Sequence, residues 1–296
     1  MIVGTTPRLR QIALEVWKPL AALFLWDVLV TAVHFAFGLK EPPLPIAIFG
    51  AALSLFIGFR TNAAYARWWE ARGLWGALIN SSRSLARITV SLTRKSDEDG
   101  AELRRNVIMH QITFVHVLRC QLRGQDPTAE VDRILGHDEI PHILNRSNRP
   151  NALLEDISVA YDEALEKGMI NPIQQQTVEQ TLTDIANAQG GMERIKNTPL
   201  PSGFRAIPNI ATRLFCLLLP IELVADLGYF TPILSTLIGM VFIAALRIAE
   251  DLTDPFANDV HDVPLHAMCT TIEIDLKQAL GMDAPRPLKP VDGVLW

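Results

Sequence analysis

Cysteine is scarce in this 296-residue chain. Cys120, Cys216 and Cys269 are scattered, with no paired spacing that would build a zinc site or a disulfide framework, and they read as buried thiols. Charge is thin as well: Lys, Arg, Asp and Glu make up 20% of the residues, against roughly 25% in soluble domains. The net charge of −5 and the lack of a basic tract interleaved with aromatics exclude nucleic acid as a partner. No HExxH, HxxxxD, GxxxxGK[ST], GxGxxG or GxSxG pattern occurs, so no catalytic residue, cofactor or metal is assigned. The opening MIVGTTPRLRQIALEVW has no short apolar core followed by a small-residue cleavage site, so no removable signal peptide is expected. No internal repeat or low-complexity tract is found.

What the chain has instead is apolar length. Mean hydropathy is +0.20, where a soluble domain of this size usually scores negative. Residues 20–39 carry one charge, Asp27, and can cross a bilayer, which takes about 20 residues. The Pro-rich turn KEPPLP (40–45) leads into a second apolar run, Ile46 to Phe59, whose only polar side chain is Ser54. No Pro follows Pro45 there, so one long helix is expected to run on into the charged, aromatic stretch with Arg60, Arg67, Trp68, Trp69, Glu70, Arg72 and Trp75. Trp beside Arg at the end of an apolar helix suits a membrane–water interface. A second hairpin follows at 207–227 and 227–246, with Arg213, Glu222 and Asp226 in its first arm and no charge between its last Leu residues. Glu222 and Asp226 are expected as solvated interfacial carboxylates, and Arg213 as the partner of a cytosolic acid.

Between the hairpins the chain is mixed in charge and prone to helix. RKSDEDG (94–100) reads as a solvated turn before a helix near 101–123, with further helices at 151–167 and 171–196. Asn171 followed by Pro172 is a helix start: a side-chain cap, then a residue whose missing N–H costs nothing there. Arg8, Arg10 and Lys18 precede the first span, Arg60 and later basic residues follow the second, and Arg247 follows the fourth, whereas the other side has only Lys40. The positive-inside bias therefore predicts four crossings with both termini cytoplasmic. The expected organisation is 1–60 (N-terminal segment and first hairpin, spans about 20–39 and 44–60), 61–205 (cytosolic helices), 206–248 (second hairpin) and 249–296 (a cytosolic C-terminal segment). The tail from Asp283 is Pro-rich and expected to be loosely held.

FRTNAAYARWWEARGLWG (59–76), with Arg67, Trp68, Trp69 and Glu70 at its centre, resembles the signature of the bestrophin family of pentameric membrane ion channels. The resemblance extends from the first apolar helix to about Asp275. It implies an all-α membrane protein with four transmembrane helices, a helical cytosolic region, and a homopentamer around one central pore. It also implies membrane lipids and permeant ions as partners, and compact length points to a bacterial inner membrane.

Ala51, Leu55 and Phe59 share one helical face. Periodicity alone leaves a packing stripe as the plain account, while the resemblance implies that these residues form the pore neck, a hydrophobic constriction that gates by dewetting. Gly50 and Gly58 would let neighbouring helices approach. Ile173 either packs under its own turn or, as the resemblance implies, rings a cytosolic aperture. DPFANDVHD (254–262) is similar to the calcium clasp of eukaryotic members, but thinned to Asn258, Asp259 and Asp262. Calcium wants six to eight oxygens, so a metal-free cap is the expectation. Apolar constrictions carry no charge sign. The acidic balance tilts the expectation toward monovalent cations such as Na+ and K+, with chloride or another anion as the alternative. A membrane-embedded enzyme or a carrier remains a remote alternative: converging His, Asp and Ser are missing, and the two hairpins do not form the inverted repeats of a carrier.

Overall fold

The structure is a computed structural model that describes residues 1, 9–38, 44–93 and 98–296. Arg8, Lys40, most of the KEPPLP turn and the RKSD of RKSDEDG lie outside the described residues, and so does the Arg10 side chain. The chain forms two compact units, each taken by itself below. One comprises the described residues within Gly4–Trp68 together with Pro199–Asp254, and the other comprises Met1 with the described residues of Trp69–Thr198 and Pro255–Trp296.

The first unit holds the apolar helices. α1 (Leu9–Phe37) starts well before residue 20 and runs through Pro19. A proline costs a helix one hydrogen bond and a clash, and membrane helices absorb both by local adjustment. α2 is a single helix from Ile46 to Leu92, as the uninterrupted sequence predicts, and its first part belongs to this unit. α8 (Ser202–Leu227) and α9 (Thr231–Asp251) make the second hairpin, joined by the short 3-10 turn Gly228–Phe230. Gly228 has φ 54 and ψ −127, a conformation that only glycine adopts without strain, and Pro232 then opens α9. The apolar stretches Trp17–Phe37, Ile46–Leu92 and Ser202–Asp251 are each long and apolar enough to cross a membrane, and the last of them is the α8–α9 pair. The protein is an all-α membrane protein.

Leu23, Leu53, Ile57, Phe215, Cys216, Leu219 and Leu246 form the core where α1, α2, α8 and α9 meet, with Phe49 and Phe242 flanking Phe215 edge-on and tilted. Small residues set the spacing. A Cβ on Gly50 would come within 3.1 Å of the Phe215 ring, and one on Gly239 would overlap Leu23 and lie 3.3 Å from Cys216 Sγ. A Cβ on Gly58, by contrast, would meet nothing within 4 Å among the described residues, so the close approach expected there is not made by them. Asp27 is fully buried and accepts a hydrogen bond from Thr236 Oγ1 at 2.8 Å, which ties α1 to α9. Glu222 is not simply solvated: its Oε2 accepts the Leu44 N–H at 3.0 Å, capping the chain where α2 begins. Arg213 is exposed and makes no ion pair among the described residues, so the expected acidic partner is not found.

The second unit packs the rest of α2 with α3 (Glu98–Arg123), α4 (Thr128–Ile134), α5 (Ile140–Leu144), α6 (Arg149–Glu166), α7 (Pro172–Asn197) and α10 (Leu265–Ala279). Trp75, Tyr161, Phe114 and Phe256 are its largest fully buried side chains among the described residues. Trp75 is thus a core residue rather than an interfacial ring. The Tyr161 hydroxyl lies 2.6 Å from Thr89 Oγ1, and burial pushes its pKa up to about 12. α7 begins as predicted: Asn171 caps the Gln174 N–H, Gln174 Oε1 accepts the Asn171 N–H, and Pro172 takes the first helical position.

The C-terminal tail departs from expectation. Val291 and Val294 exchange two backbone hydrogen bonds, the Leu295 N–H donates to the Met1 carbonyl, the Met1 ammonium donates to the Leu295 carbonyl, and the Ala267 N–H donates to the Trp296 carbonyl. Val294 is buried. A Pro-rich segment has few N–H groups to satisfy, and here the few that remain at its end find partners, so the last residues are pinned.

Candidate functional site

α2 has two apolar faces in its apolar half, and the structure packs one of them into the subunit core. Leu53 and Ile57 are 1% and 5% exposed and pack into the subunit core, followed on the same side by buried Arg60 and Ala64. Ala51, Leu55 and Phe59 lie on the other side and point away from their own subunit, with Leu55 59% and Phe59 57% exposed. Ala51, Leu55 and Phe59 therefore do not pack into their own subunit, a role that belongs to the opposite face. A soluble monomer rarely leaves such bulk uncovered. Leu55, Ile57, Phe59 and Asn62 of α2 line an open groove of about 630 Å³ with Val241 and Phe242 of α9. Its hydroxyls are internally occupied: Ser54 Oγ donates to the Gly50 carbonyl at 2.8 Å, and Thr61 Oγ1 to the Ile57 carbonyl at 2.9 Å. The stripe therefore offers an ion no polar atom at Leu55 or Phe59.

The signature residues divide between the two units. In the unit of the apolar helices, Arg67 Nε donates to the Thr253 carbonyl at 3.2 Å, and Trp68 stacks on Tyr65 with ring centroids 6.3 Å apart. In the other unit, Glu70 accepts from Arg194 Nη2 at 2.6 Å, a contact between α2 and α7, while Trp69 is 61% exposed. Arg67 and Glu70 thus each tie α2 to another part of the chain within their own unit.

Ile173, on the first turn of α7, is 76% exposed, whereas Ile170 just before it is buried. It does not pack under its own turn. In the DPFANDVHD segment, Asn258 takes a left-handed φ of 77, and Asp262 Oδ2 accepts the Asp259 N–H at 2.8 Å. Asp262 is 1% exposed and works as a backbone cap within the turn. Among the described residues no group of three or more His, Cys, Asp or Glu is placed to hold a metal ion.

One cluster has no counterpart in the sequence reading. Glu273 of α10 is buried and accepts hydrogen bonds from His116 Nε2 at 2.9 Å and from Arg133 Nη1 at 2.9 Å, with Lys277 Nζ at 2.8 Å. Glu130 joins through Arg119 Nη2 at 2.7 Å and Arg133 Nη2 at 2.9 Å, and Arg119 also contacts His266. Burial alone would raise the Glu273 carboxyl, but the hydrogen bonds from His116, Arg133 and Lys277 outweigh it and hold the group well below the usual carboxylate range. Glu130 is lowered in the same way, against burial, by His116, Arg133 and Arg119. Burial first, and then the Arg119 charge, lower His266. The only trace of this cluster in the sequence is Glu130–Arg133 and Glu273–Lys277 at helical spacing; the long-range contacts leave none.

The family model for bacterial and fungal bestrophin proteins matches residues 8–278. The voltage-dependent anion channel-forming protein YneE of Salmonella typhi is 38% identical over 241 residues, covering 81% of this chain and 78% of that protein. Its namesake in Escherichia coli K12 is 37% identical over 252 residues, covering 85% and 81%. A crystal structure of a bacterial bestrophin homolog from Klebsiella pneumoniae superposes with a TM-score of 0.86 at 31% identity, covering 90% of this chain and 99% of that one.

Proposed function

The chain belongs to the bestrophin family, and from that premise we propose that it assembles as a homopentamer and passes small monovalent ions passively through a central pore. The observation that carries this reading is the outward apolar stripe of α2. Ala51, Leu55 and Phe59 leave the subunit core to Leu53 and Ile57 and are free to form rings around a fivefold axis. Each ring is a pore neck in which water finds no hydrogen-bonding side chain, so an ion must shed hydration to enter. More than one subunit is needed, because one contributes a single such stripe and cannot enclose a path, and the number five is what membership of the bestrophin family implies.

Ile173 is the ring of a second constriction, at the cytosolic exit. Its exposure at a firmly capped helix start supports this role, since a capped first turn holds an apolar side chain in place without burying it. The DPFANDVHD turn is a metal-free cap: the Asp262 carboxylate is engaged by the Asp259 N–H. The protein resides in a bacterial inner membrane with both termini cytoplasmic. The positive-inside bias supports the orientation, as does the pairing of Met1 with Leu295, which puts the two chain ends side by side.

Two readings of the ion each have a support. The net charge of −5 favours cations such as Na+ and K+. The relatives from Salmonella and E. coli are named as anion channel-forming, which favours chloride. Purified protein in a planar bilayer under a salt gradient tests the proposal. Unitary current steps are the expected result, and the sign of the reversal potential separates the two ions. A detergent or nanodisc mass other than five times the 32.9 kDa chain mass, or a conducting monomer, refutes the pentamer.

A further inference from the structure

We propose that Asn62 forms a ring of five amides directly on the cytosolic side of the Phe59 ring, where an ion exchanges water for amide as it crosses the neck boundary, and that the side chain at this position sets charge selectivity. The inference rests on the proposed pore and adds to it a residue of the 59–76 stretch that belongs neither to the neck nor to the Arg67–Glu70 centre of the signature.

The geometry is helical. At about 100° per residue, position 62 projects about 20° from Leu55 and about 60° from Phe59, so Asn62 continues the same stripe one turn on. It is exposed, as is Ala66 one turn further, while Arg60 and Ala64, two residues before and after Asn62, are buried. Asn62 is also the first side chain on the stripe after Ala51, Leu55 and Phe59 that can hydrogen-bond, and it lines the same groove as Leu55 and Phe59. The other two polar residues of that groove, Ser54 and Thr61, donate to carbonyls one turn back. The Asn62 amide makes no hydrogen bond among the described residues. A polar side chain held at the mouth of an apolar constriction, with its donors and acceptor unspent, is placed to replace hydration water that the neck strips away.

An amide carries a carbonyl oxygen for a cation and N–H groups for an anion, so the native ring is neutral to both and the barrier of the neck acts on either sign. A charge at this position removes that neutrality. Five carboxylates at the neck mouth concentrate cations and repel anions, and five ammonium groups do the reverse.

The test uses the full-length pentamer in planar bilayers under a potassium chloride gradient. Unitary current from the parent protein establishes the channel itself; a parent without current counts against the channel reading, not specifically against Asn62. With parent current in hand, Asn62→Asp should move the reversal potential toward that of potassium, and Asn62→Lys toward that of chloride. Asn62→Ala should lower unitary conductance with the reversal potential unchanged. A conducting Asp variant and a conducting Lys variant that both reverse at the parent potential overturn the proposal. Should a charged variant fail to assemble, Asn62→Cys replaces it, labelled in turn with a cationic and an anionic methanethiosulfonate. The native Cys120, Cys216 and Cys269 are all buried and leave a low background. Opposite shifts of reversal potential are expected from the two labels, and complete labelling with no change in current overturns the assignment.

Discussion

Glu273→Gln is the sharpest test of how the second unit is held together. The carboxylate meets the His116 ring, both terminal nitrogens of Arg133 at 2.9 and 3.1 Å, and Lys277, all within 3.1 Å. Glutamine keeps the shape but loses the charge, and its NH2 turns donors toward donors. Removing one partner of a buried ion pair costs about 3–5 kcal/mol. Arg133 is 44% exposed at its side chain and can rehydrate, which places this case at the lower end, about 3 kcal/mol. In a unit of this size each kcal/mol moves the melting temperature by about 2–4 °C, so a drop of about 6–12 °C is expected at pH 7. The exposed pair Arg83–Asp275 is the internal comparison: Asp275→Asn should cost less than about 1 kcal/mol. The pH dependence has a definite sign. The folded carboxyl is held below its unfolded value of about 4.3, so its stabilisation is complete above that value and is lost as pH falls below it toward the folded value. Melting of the purified protein, followed by circular dichroism or intrinsic fluorescence at pH 7, 5 and 4, should show a full gap between parent and Glu273→Gln at pH 7 and a narrowing gap at pH 4. A variant that melts with the parent at pH 7, or a gap that widens on acidification, refutes the reasoning.

Phe59→Ala and Leu55→Ala widen and wet the neck and should raise unitary conductance, whereas Ala51→Ile should lower it; unchanged current in both Ala variants, with intact pentamers, would put the neck on another face of α2. Ile173→Ala should alter rectification or ion preference while leaving the melting temperature within about 1 °C, because an exposed side chain contributes little burial; a large loss of stability with unchanged current would make it a packing residue. Current should be indifferent to a calcium chelator on the cytosolic side, and chelation that abolishes it, reproduced by Asp259→Ala, would restore the clasp reading. Gly239→Val forces a side chain into the space of Leu23 and should cost about 1–3 kcal/mol, read as a lowered melting temperature or loss of folded protein, whereas Gly58→Ala, whose Cβ meets nothing within 4 Å among the described residues, should leave the subunit's melting unchanged.

Much of this protein is legible without coordinates because the physics behind it is local. Apolar length identifies the membrane helices, since a bilayer demands about 20 residues whatever surrounds them. The missing proline after Pro45 makes α2 one helix, and Asn171, Pro172 and Gln174 define the start of α7 within four residues. The RWWEAR stretch identifies the family. Other features needed distant parts of the chain to meet. Periodicity puts Ala51, Leu55 and Phe59 on one face and Leu53 and Ile57 on another, but both faces are apolar, and only contact with Phe215 and its neighbours on α8 shows which one is spent on the subunit core. Gly239 looks like any other small residue until Leu23, more than two hundred positions away, is laid against it. Glu273, His116 and Arg133 are ordinary charges in the sequence. They become a buried network because α3, α4 and α10 converge, and burial makes their pairing decisive where water would have screened it. The pinned tail has the same origin: its hydrogen bonds run to Met1 and Ala267, and no property of a Pro-rich segment discloses partners that only the folded chain supplies.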